Sequence, residues 1–185
     1  MTGRVVLVGA GPGDPGLLTL RAHRVLGQAD VVVTDHLVPS RLLAAVRPEA
    51  EVIRVGPAHG SGRLSQADID LLLVAHARRG RLVVRLKNGD PFLFGRGGEE
   101  AEALRRAGVP FEIVPGVPSA IAVPAYAGIP VTHREHASLV TIVTGHAACA
   151  NDPPALPWSQ LVHRGGTLVV LMGMRTLEAI VAALA

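Results

Sequence analysis

Three glycine-rich segments carry the residues that could bind or transform a ligand, and the first is segment 9–16, Gly-Ala-Gly-Pro-Gly-Asp-Pro-Gly. Its glycines match the GxGxxG pattern of dinucleotide-binding loops, and Asp35 follows at about the 20-residue spacing of that pattern. A pyrophosphate, however, needs backbone N–H donors and no neighbouring anion. Two prolines here remove N–H groups and Asp14 adds a carboxylate, so the segment favours an uncharged or cationic ligand. A tight strand-to-helix turn without a ligand is the alternative interpretation.

The second segment, 85–100, reads Arg-Leu-Lys-Asn-Gly-Asp-Pro-Phe-Leu-Phe-Gly-Arg-Gly-Gly-Glu-Glu. Its four glycines and one proline indicate a shaped loop whose backbone approaches another group closely. Asp90 and Arg96 are natural polar contacts for a ligand, while Phe92 and Phe94 could form the wall of a pocket. The alternative is a long irregular turn before a helix whose acidic first turn is favoured by the helix dipole.

The third segment consists of residues 115–120 followed by residues 126–134. It contains Ser119, which lacks the GxSxG context of a nucleophile elbow. We therefore expect Ser119 to begin a helix and to offer its hydroxyl and backbone donors to a ligand. The pair His133 and Arg134 is interpreted as a contact for a carboxylate or as a plain surface pair. Three histidines lie in or after this segment on an apparent loop, with no evident carboxylate or cysteine partner, so we expect no metal site. They are His133, His136 and His146.

These segments follow apolar runs that predict parallel strands covered on both faces. The runs are Arg4–Val8, Asp30–Thr34, Glu51–Val55, Arg81–Leu86 and Phe111–Val114. Helical patterns lie between them at Pro15–Gln28, Ser40–Val46, Gln66–Arg79 and Gly98–Ala107. The alternation predicts an α/β fold with an open, mostly parallel sheet, and ligand sites at the C-terminal ends of its strands.

A domain boundary is predicted near Pro115, which gives an N-terminal α/β domain over residues 1–114 and a second α/β domain over residues 115–185. The second domain shows two strand patterns and two helix patterns. They are a helix at Ser119–Ala127, strands near Ser138–Thr144 and Thr167–Met172, and a helix from about Arg175. Two strands make a poor sheet, so we expect the second domain to be incomplete and the chain to be truncated within it.

The composition of the 185 residues excludes several classes of protein. With 49% hydrophobic and 18% charged residues the chain is not disordered, and charges, glycines or prolines interrupt each apolar run before it could span a membrane. One cysteine excludes an internal disulfide, and 3% aromatic residues leave little to stack on nucleic-acid bases. We expect a cytoplasmic protein. Lys87 is the only lysine, so the net charge of +3 comes from arginine, a good partner for carboxylates.

Taken together, the segments resemble the tetrapyrrole methylases, and most closely the branch that C-methylates uroporphyrinogen III. The match runs in order along the chain, and the Gly-Arg-Gly-Gly-Glu-Glu and Thr-His-Arg elements are specific to that branch. The matching segments are 8–15 with 18–20, 35–38, 89–100, 124–134, 144–146 and 172–174.

The resemblance implies a two-domain α/β fold, a homodimer, and S-adenosylmethionine held between the domains and released as S-adenosylhomocysteine. The product would be precorrin-2, for sirohaem or cobalamin synthesis. By position, Asp35 corresponds to the family's catalytic base, while Arg134, Arg96 and His133 would bind the carboxylates of the substrate. The positions that correspond to cofactor contacts are Pro12, Gly89, Asp90, Leu93, Pro118, Ser119 and Met172.

Three departures from the family pattern leave other interpretations open. Pro57 stands where the family has a lysine, Asn88 replaces the first glycine of Gly-Gly-Asp, and the family continues beyond the point where this chain ends. The alternatives are a methylase of a later precorrin, a non-catalytic remnant of the family, and an NAD-binding Rossmann domain. The Rossmann alternative would use Gly11, Gly13, Gly16 and Asp35.

Overall fold

The computed structural model describes residues 3–56, 64–145, 156–163 and 165–185. The chain divides into two compact units, Met1–Pro118 and Ser119–Ala185. The division falls four residues after the boundary expected from the sequence, because segment 115–118 packs with the first unit. In the described residues no helix is long and apolar enough to cross a membrane.

The first unit is built on a parallel sheet of five strands, as the sequence predicted. Its strands are β1 (Arg4–Gly9), β2 (Val31–Asp35), β3 (Glu51–Val55), β4 (Leu82–Lys87) and β5 (Phe111–Val114). Their spatial order is β3-β2-β4-β1-β5, so β1 lies between β4 and β5. In the Rossmann order β1 lies beside β2 instead. The strand order therefore differs from that of a dinucleotide-binding domain.

Apolar side chains on both faces of the sheet explain why the strands show little alternation. One core layer forms around Val5, Leu7 and Val33 and packs against α2 (Gln66–Arg78) and α3 (Gly97–Arg106). The other forms around Val6, Val8 and Val84 and packs against α1 (Leu20–Leu26). Odd-numbered positions of β1, β2 and β4 thus face α2 and α3, which decides where the polar residues at the strand ends point.

The predicted helix Pro15–Gln28 is wrong as one element. A short 3₁₀ turn covers Pro15–Leu17, and α1 begins separately at Leu20 and ends at Leu26. Each of the two elements has its own N-cap. Asp14 accepts a hydrogen bond from the Gly16 N–H, and Thr19 accepts one from the Ala22 N–H. The pattern at Ser40–Val46 is also a 3₁₀ helix, Ser40–Ala45, rather than an α-helix.

The second unit contains a two-stranded parallel sheet, β6 (Val140–Thr144) and β7 (Thr167–Leu171). Its helices are α4 (Ser119–Tyr126), α5 (Trp158–His163) and α6 (Leu177–Leu184). A small core forms around Val143, Trp158 and Ile180. α5 is not evident in the sequence because it is short and follows prolines, although its first residue, Trp158, is buried in this core.

Candidate functional site

The loops that follow β1, β4 and β5 meet at the C-terminal edge of the first unit's sheet. Gly11 and Gly89 form an isolated antiparallel bridge: the Gly11 N–H donates to the Gly89 carbonyl at 3.1 Å, and the Gly89 N–H returns the bond at 2.8 Å. A Cβ on Gly9 would lie 2.5 Å from the backbone nitrogen of Gly116, and one on Gly116 would collide with the Gly89 carbonyl oxygen. The glycines therefore allow three backbones to approach more closely than side chains permit.

Asp90 holds this arrangement together with both of its carboxylate oxygens. Oδ1 accepts a hydrogen bond from the Phe92 N–H at 2.8 Å, which shapes the loop after β4, and Oδ2 accepts one from the Gly116 N–H at 3.0 Å. The neighbouring residue Gly89 has a φ of 64°, a conformation that glycine adopts without strain. Pro118 lies against the same loop, because a Cβ on Gly89 would be 3.8 Å from the Pro118 Cα.

Several of the backbone N–H groups that a pyrophosphate would require are already engaged within the protein. Besides the Gly11 and Gly89 pair, the Ala10 N–H donates to the Lys87 carbonyl at 2.7 Å, and the Gly16 N–H donates to Asp14 at 2.7 Å. Pro12 is half-buried between these donors and has no N–H of its own. The loop is therefore a poor anion site. Together with the strand order, this argues against the Rossmann alternative.

Asp35, the predicted catalytic base, ends β2 and is bound by a buried arginine. Its Oδ1 accepts a hydrogen bond from Arg85 Nη2 at 2.5 Å. Arg85 also donates through Nε to Glu100 Oε1 at 2.9 Å, and Lys87 Nζ lies 3.2 Å from Glu100 Oε2. The Glu100 side chain is completely buried, whereas that of Asp35 remains 28% exposed. The carboxylate of Asp35 is thus the accessible end of a buried charged network.

The electrostatics of this network favour the ionised form of Arg85. Burial by itself would lower the pKa of Arg85, but the negative charges of Glu100 and Asp35 and their hydrogen bonds raise it above its ordinary value. Burial of such charges is tolerated only where they are paired and hydrogen-bonded. Two cations here face two carboxylates, so the cluster is balanced in charge.

The predicted cofactor residues fall into two groups. In the first unit the meeting loops bring together Pro12, Gly89, Asp90 and Pro118, and Leu93 lies half-buried in the loop after β4. In the second unit Ser119 is the first residue of α4, and Met172 follows β7 with 56% of its surface exposed. Met172 has a φ of 57°, a strained conformation for a residue other than glycine.

The predicted substrate residues are all exposed. Arg96 forms three hydrogen bonds of 2.9–3.1 Å with Glu99, three residues further along the chain. The hydrogen bonds to Glu99 raise the pKa of Arg96, and those same bonds lower the pKa of Glu99. In the second unit Arg134 is exposed beside His133, whose Nδ1 accepts a hydrogen bond from the Glu135 N–H at 3.2 Å.

The histidines of the second unit have a carboxylate neighbour that the sequence analysis overlooked. Donor atoms of His133, Glu135 and His136 lie within 4.8 Å of one another, and the two imidazole rings stack at 4.6 Å. All three side chains are exposed. The Nδ1 of His133 already accepts the hydrogen bond described above. The third histidine considered from the sequence, His146, lies outside the described residues, as does Pro57.

Asn88 does not distort the loop after β4. It is exposed, and in the described part of the chain Phe94 and Met172 are the only residues other than glycine with a positive φ. The family's glycine at position 88 is therefore not required for backbone freedom, which Gly89 supplies.

Sequence reasoning missed the role of Arg85 and Glu100. The alternative interpretation placed Glu100 in an acidic first helical turn favoured by the helix dipole, which gave no sign that this residue is fully buried. A usable signal was present, because Arg85 and Lys87 place two cations on one face of an otherwise apolar strand. Such charges require a buried partner. The strain at Phe94, with a φ of 48°, had no signal in the sequence.

Residues 4–185 match the family model of the tetrapyrrole (corrin/porphyrin) methylases. The chain is 53% identical over 175 residues to the S-adenosyl-L-methionine-dependent uroporphyrinogen III methyltransferase of Methanosarcina barkeri, covering 95% of this chain and 69% of that protein. It is 51% identical to a sirohaem synthase of Photorhabdus laumondii, of which it spans 36%.

Among solved structures, the uroporphyrin-III C-methyltransferase of Thermus thermophilus complexed with S-adenosylhomocysteine matches with a TM-score of 0.82 and 47% identity. The match covers 98% of this chain and 75% of that one. A cobalt precorrin-4 methyltransferase matches with a TM-score of 0.85 at 30% identity, covering 98% of this chain and 73% of that one. The chain belongs to the tetrapyrrole methylases, which confirms the resemblance and the fold class inferred from the sequence.

Proposed function

We propose that this chain is an S-adenosylmethionine-dependent C-methyltransferase that converts uroporphyrinogen III to precorrin-2. The observation that carries the proposal is its 53% identity, over 95% of its length, to the Methanosarcina barkeri protein named as an S-adenosyl-L-methionine-dependent uroporphyrinogen III methyltransferase. The chain spans little more than a third of the sirohaem synthases that it also matches, so only the matched part of those proteins is relevant to it.

The donor set of the first unit fits S-adenosylmethionine better than a phosphate-bearing cofactor. The loop N–H groups described above are engaged, and the loops carry the carboxylates of Asp14 and Asp90, while the guanidinium of Arg41 is already bound to the Gly13 carbonyl at 2.8 Å. A positively charged sulfonium ligand is compatible with such surroundings. By family position, the residues that would hold it are Pro12, Gly89, Asp90, Leu93, Pro118, Ser119 and Met172.

The bound cofactor would supply a methyl group on a sulfonium, which a nucleophilic ring carbon of the substrate attacks. The protein then has to align the reactants and remove the proton that the methylated substrate must lose to regain neutrality. Asp35 is the proposed base, because its carboxylate is accessible and held by Arg85 at the end of β2. Arg134, Arg96 and His133 are proposed to bind the substrate's carboxylates, as arginine suits such planar anions.

Assembly and location are also proposals. The family resemblance supports a homodimer, which light scattering of the purified chain would test. A cytoplasmic location is supported by the composition discussed above, and cell fractionation would test it.

A second candidate is methylation of a later precorrin. It is supported by the TM-score of 0.85 to the cobalt precorrin-4 methyltransferase. The lower identity of 30%, against 53% for the uroporphyrinogen III enzyme, makes it the weaker candidate.

Calorimetric titration with S-adenosylhomocysteine, with NAD in parallel, tests the cofactor, and mass spectrometry of uroporphyrinogen III incubated with S-adenosylmethionine tests the reaction. We expect one-site binding of S-adenosylhomocysteine, none of NAD, and methylated tetrapyrrole. Cofactor binding with methylation of a later precorrin alone would establish the second candidate. NAD binding alone would overturn both.

A further inference from the structure

A buried guanidinium connects the exposed carboxylate of Asp35 to the interior of the first unit. The Arg85 side chain is 3% exposed and lies on β4, beside Val33 of the neighbouring strand β2. Because Asp35 and Arg85 both occupy odd-numbered positions, they point to the sheet face that carries α3. Glu100 projects from the first turn of α3 into the same cluster.

The guanidinium is fixed at each of its three nitrogens. Nε donates to Glu100 Oε1 at 2.9 Å, Nη2 donates to Asp35 Oδ1 at 2.5 Å, and Nη1 donates to the Val33 carbonyl at 3.4 Å. A planar fork with three engaged corners cannot rotate without breaking a hydrogen bond. The position of Asp35 Oδ1 is therefore set by hydrogen bonds that reach into the core of the unit.

The charges within the cluster leave Arg85 available to Asp35. Lys87 Nζ lies 3.3 Å from Oε1 and 3.2 Å from Oε2 of Glu100, so Glu100 has a cation of its own. Gln66 Nε2 adds a hydrogen bond to Glu100 Oε1 at 3.3 Å. In the described part of the chain, Arg85 is the only side chain that hydrogen-bonds the Asp35 carboxylate, and Oδ2 accepts no hydrogen bond.

We propose that Arg85 is a positioning residue, which Glu100 anchors and which aims the Asp35 carboxylate at the proton to be removed. The inference rests on the proposed function, since it requires Asp35 to act as the base. Arg85 itself is too buried to contact the substrate. Its contribution therefore lies in the rate of the chemical step and not in the binding of either reactant.

The substitution Arg85→Lys separates positioning from structure. Lysine keeps the charge but cannot donate to Glu100 and Asp35 through a rigid fork. We expect kcat per S-adenosylhomocysteine-binding site to fall by about 100-fold, the loss that a small misplacement of a reacting group can cause. KM for uroporphyrinogen III and the calorimetric Kd for S-adenosylhomocysteine should stay within about twofold of the original values.

Arg81→Lys is the matched control, because Arg81 precedes the same strand and pairs with Glu51 at 2.6 Å far from Asp35. It should leave kcat unchanged. A merely structural Arg85 would lower the number of binding-competent sites without lowering kcat per site, and that result would overturn the proposal. In an Asp35→Asn background, assayed in single turnover, Arg85→Lys should cause no further loss, whereas an undiminished loss would also overturn it.

If Arg85→Lys does not fold, Glu100→Gln is carried through the same measurements. This variant keeps the shape of the anchor and removes its charge, and a fall in kcat per site at constant KM is again expected. An unchanged kcat would count against the proposal. Absence of methylation by the unsubstituted chain would instead refute the proposed function, so the two failures are distinguishable.

Discussion

The carboxylate of Asp90 accepts a hydrogen bond from the backbone N–H of Gly116, and this bond passes over the C-terminal end of β1. Asp90 follows β4 and Gly116 follows β5, while β1 lies between those two strands. The bond therefore closes two loops over the Gly9–Gly11 backbone, where a Cβ on Gly9 would lie 2.6 Å from the Gly89 carbonyl oxygen. One side chain thus sets the spacing of the three loops that form the proposed cofactor site.

Replacement of Asp90 should weaken cofactor binding more than it weakens the fold. Asp90→Ala removes the acceptors for both Phe92 and Gly116, and we expect the Kd for S-adenosylhomocysteine to rise at least about tenfold, which corresponds to the ~1.4 kcal/mol that a lost charged hydrogen bond can cost. Asp90→Asn keeps one carbonyl acceptor, so its Kd should lie between those of Asp90→Ala and the unsubstituted chain. Calorimetric titration measures the Kd of both variants.

Glu102→Gln, on the exposed face of α3, is the control for removal of a carboxylate. It should bind S-adenosylhomocysteine like the unsubstituted chain. Unchanged affinity in Asp90→Ala would show that the loops hold their spacing without this side chain.

Gly116→Ala tests the close approach of the loops directly. The added methyl group would collide with the Gly89 carbonyl oxygen, so the loops after β4 and β5 must separate. We expect a loss of about 1–3 kcal/mol in the free energy of unfolding, as for other overpacked sites, and weaker binding of S-adenosylhomocysteine. Urea denaturation measures the first effect and calorimetry the second.

Gly98→Ala is the matched control, because a Cβ on Gly98 would have no atom within 4 Å. Gly98 lies in the first turn of α3, where alanine is the better helix former. Its stability should be equal or slightly higher. A Gly116→Ala variant as stable as Gly98→Ala would contradict the close approach.

The sheet could be predicted from the sequence because its strands are buried on both faces and read as uninterrupted apolar runs. The bounds of β3 and β5 were predicted to the residue, and those of β1, β2 and β4 to within one residue at each end. Prediction failed where local caps decide the structure. Asp14 and Thr19 each start a turn, and no periodicity in segment 15–28 reveals that the helix is interrupted between them.

The candidate site was only partly predictable. Asp90 lies after the end of β4 and Asp35 is the last residue of β2, so their place at the edge of the sheet could be inferred from the sequence. The pairing of Asp35 with Arg85 depends on β2 and β4 being neighbours, which requires the strand order. Glu100 joins them only because α3 packs on that face. Long-range pairing of this kind leaves no signal in a single sequence beyond the unexplained charges of Arg85 and Lys87.

Arg134 is expected to contribute to substrate binding and not to the chemical step. It is exposed in the second unit, and its guanidinium is suited to a carboxylate of the tetrapyrrole. Arg134→Ala should raise KM for uroporphyrinogen III by about tenfold, since an ion pair that is partly desolvated on binding is worth ~1–2 kcal/mol. Steady-state kinetics at saturating S-adenosylmethionine measures KM and kcat.

Arg24→Ala controls for the loss of one positive charge, because Arg24 is exposed in α1, and no role at the site is proposed for it. It should change KM by less than about twofold. A fall in kcat at constant KM in Arg134→Ala would assign this residue to catalysis and contradict a binding role.

Stability at mildly acidic pH should depend on His76, a buried residue of α2. Burial lowers the pKa of His76 below its ordinary value of 6.5; Glu51 opposes this shift, while Arg81 and Arg79 reinforce it. The unfolded chain therefore takes up a proton at a higher pH than the folded chain does. As the pH falls below about 6.5, protonation of the unfolded state draws the equilibrium towards unfolding, so the free energy of unfolding decreases.

His76→Gln should flatten this part of the pH dependence, as measured by urea denaturation between about pH 5 and 7. His23→Gln, at an exposed position of α1, is the matched substitution, and an equal pH slope in His76→Gln and the unsubstituted chain would exclude His76 as the source.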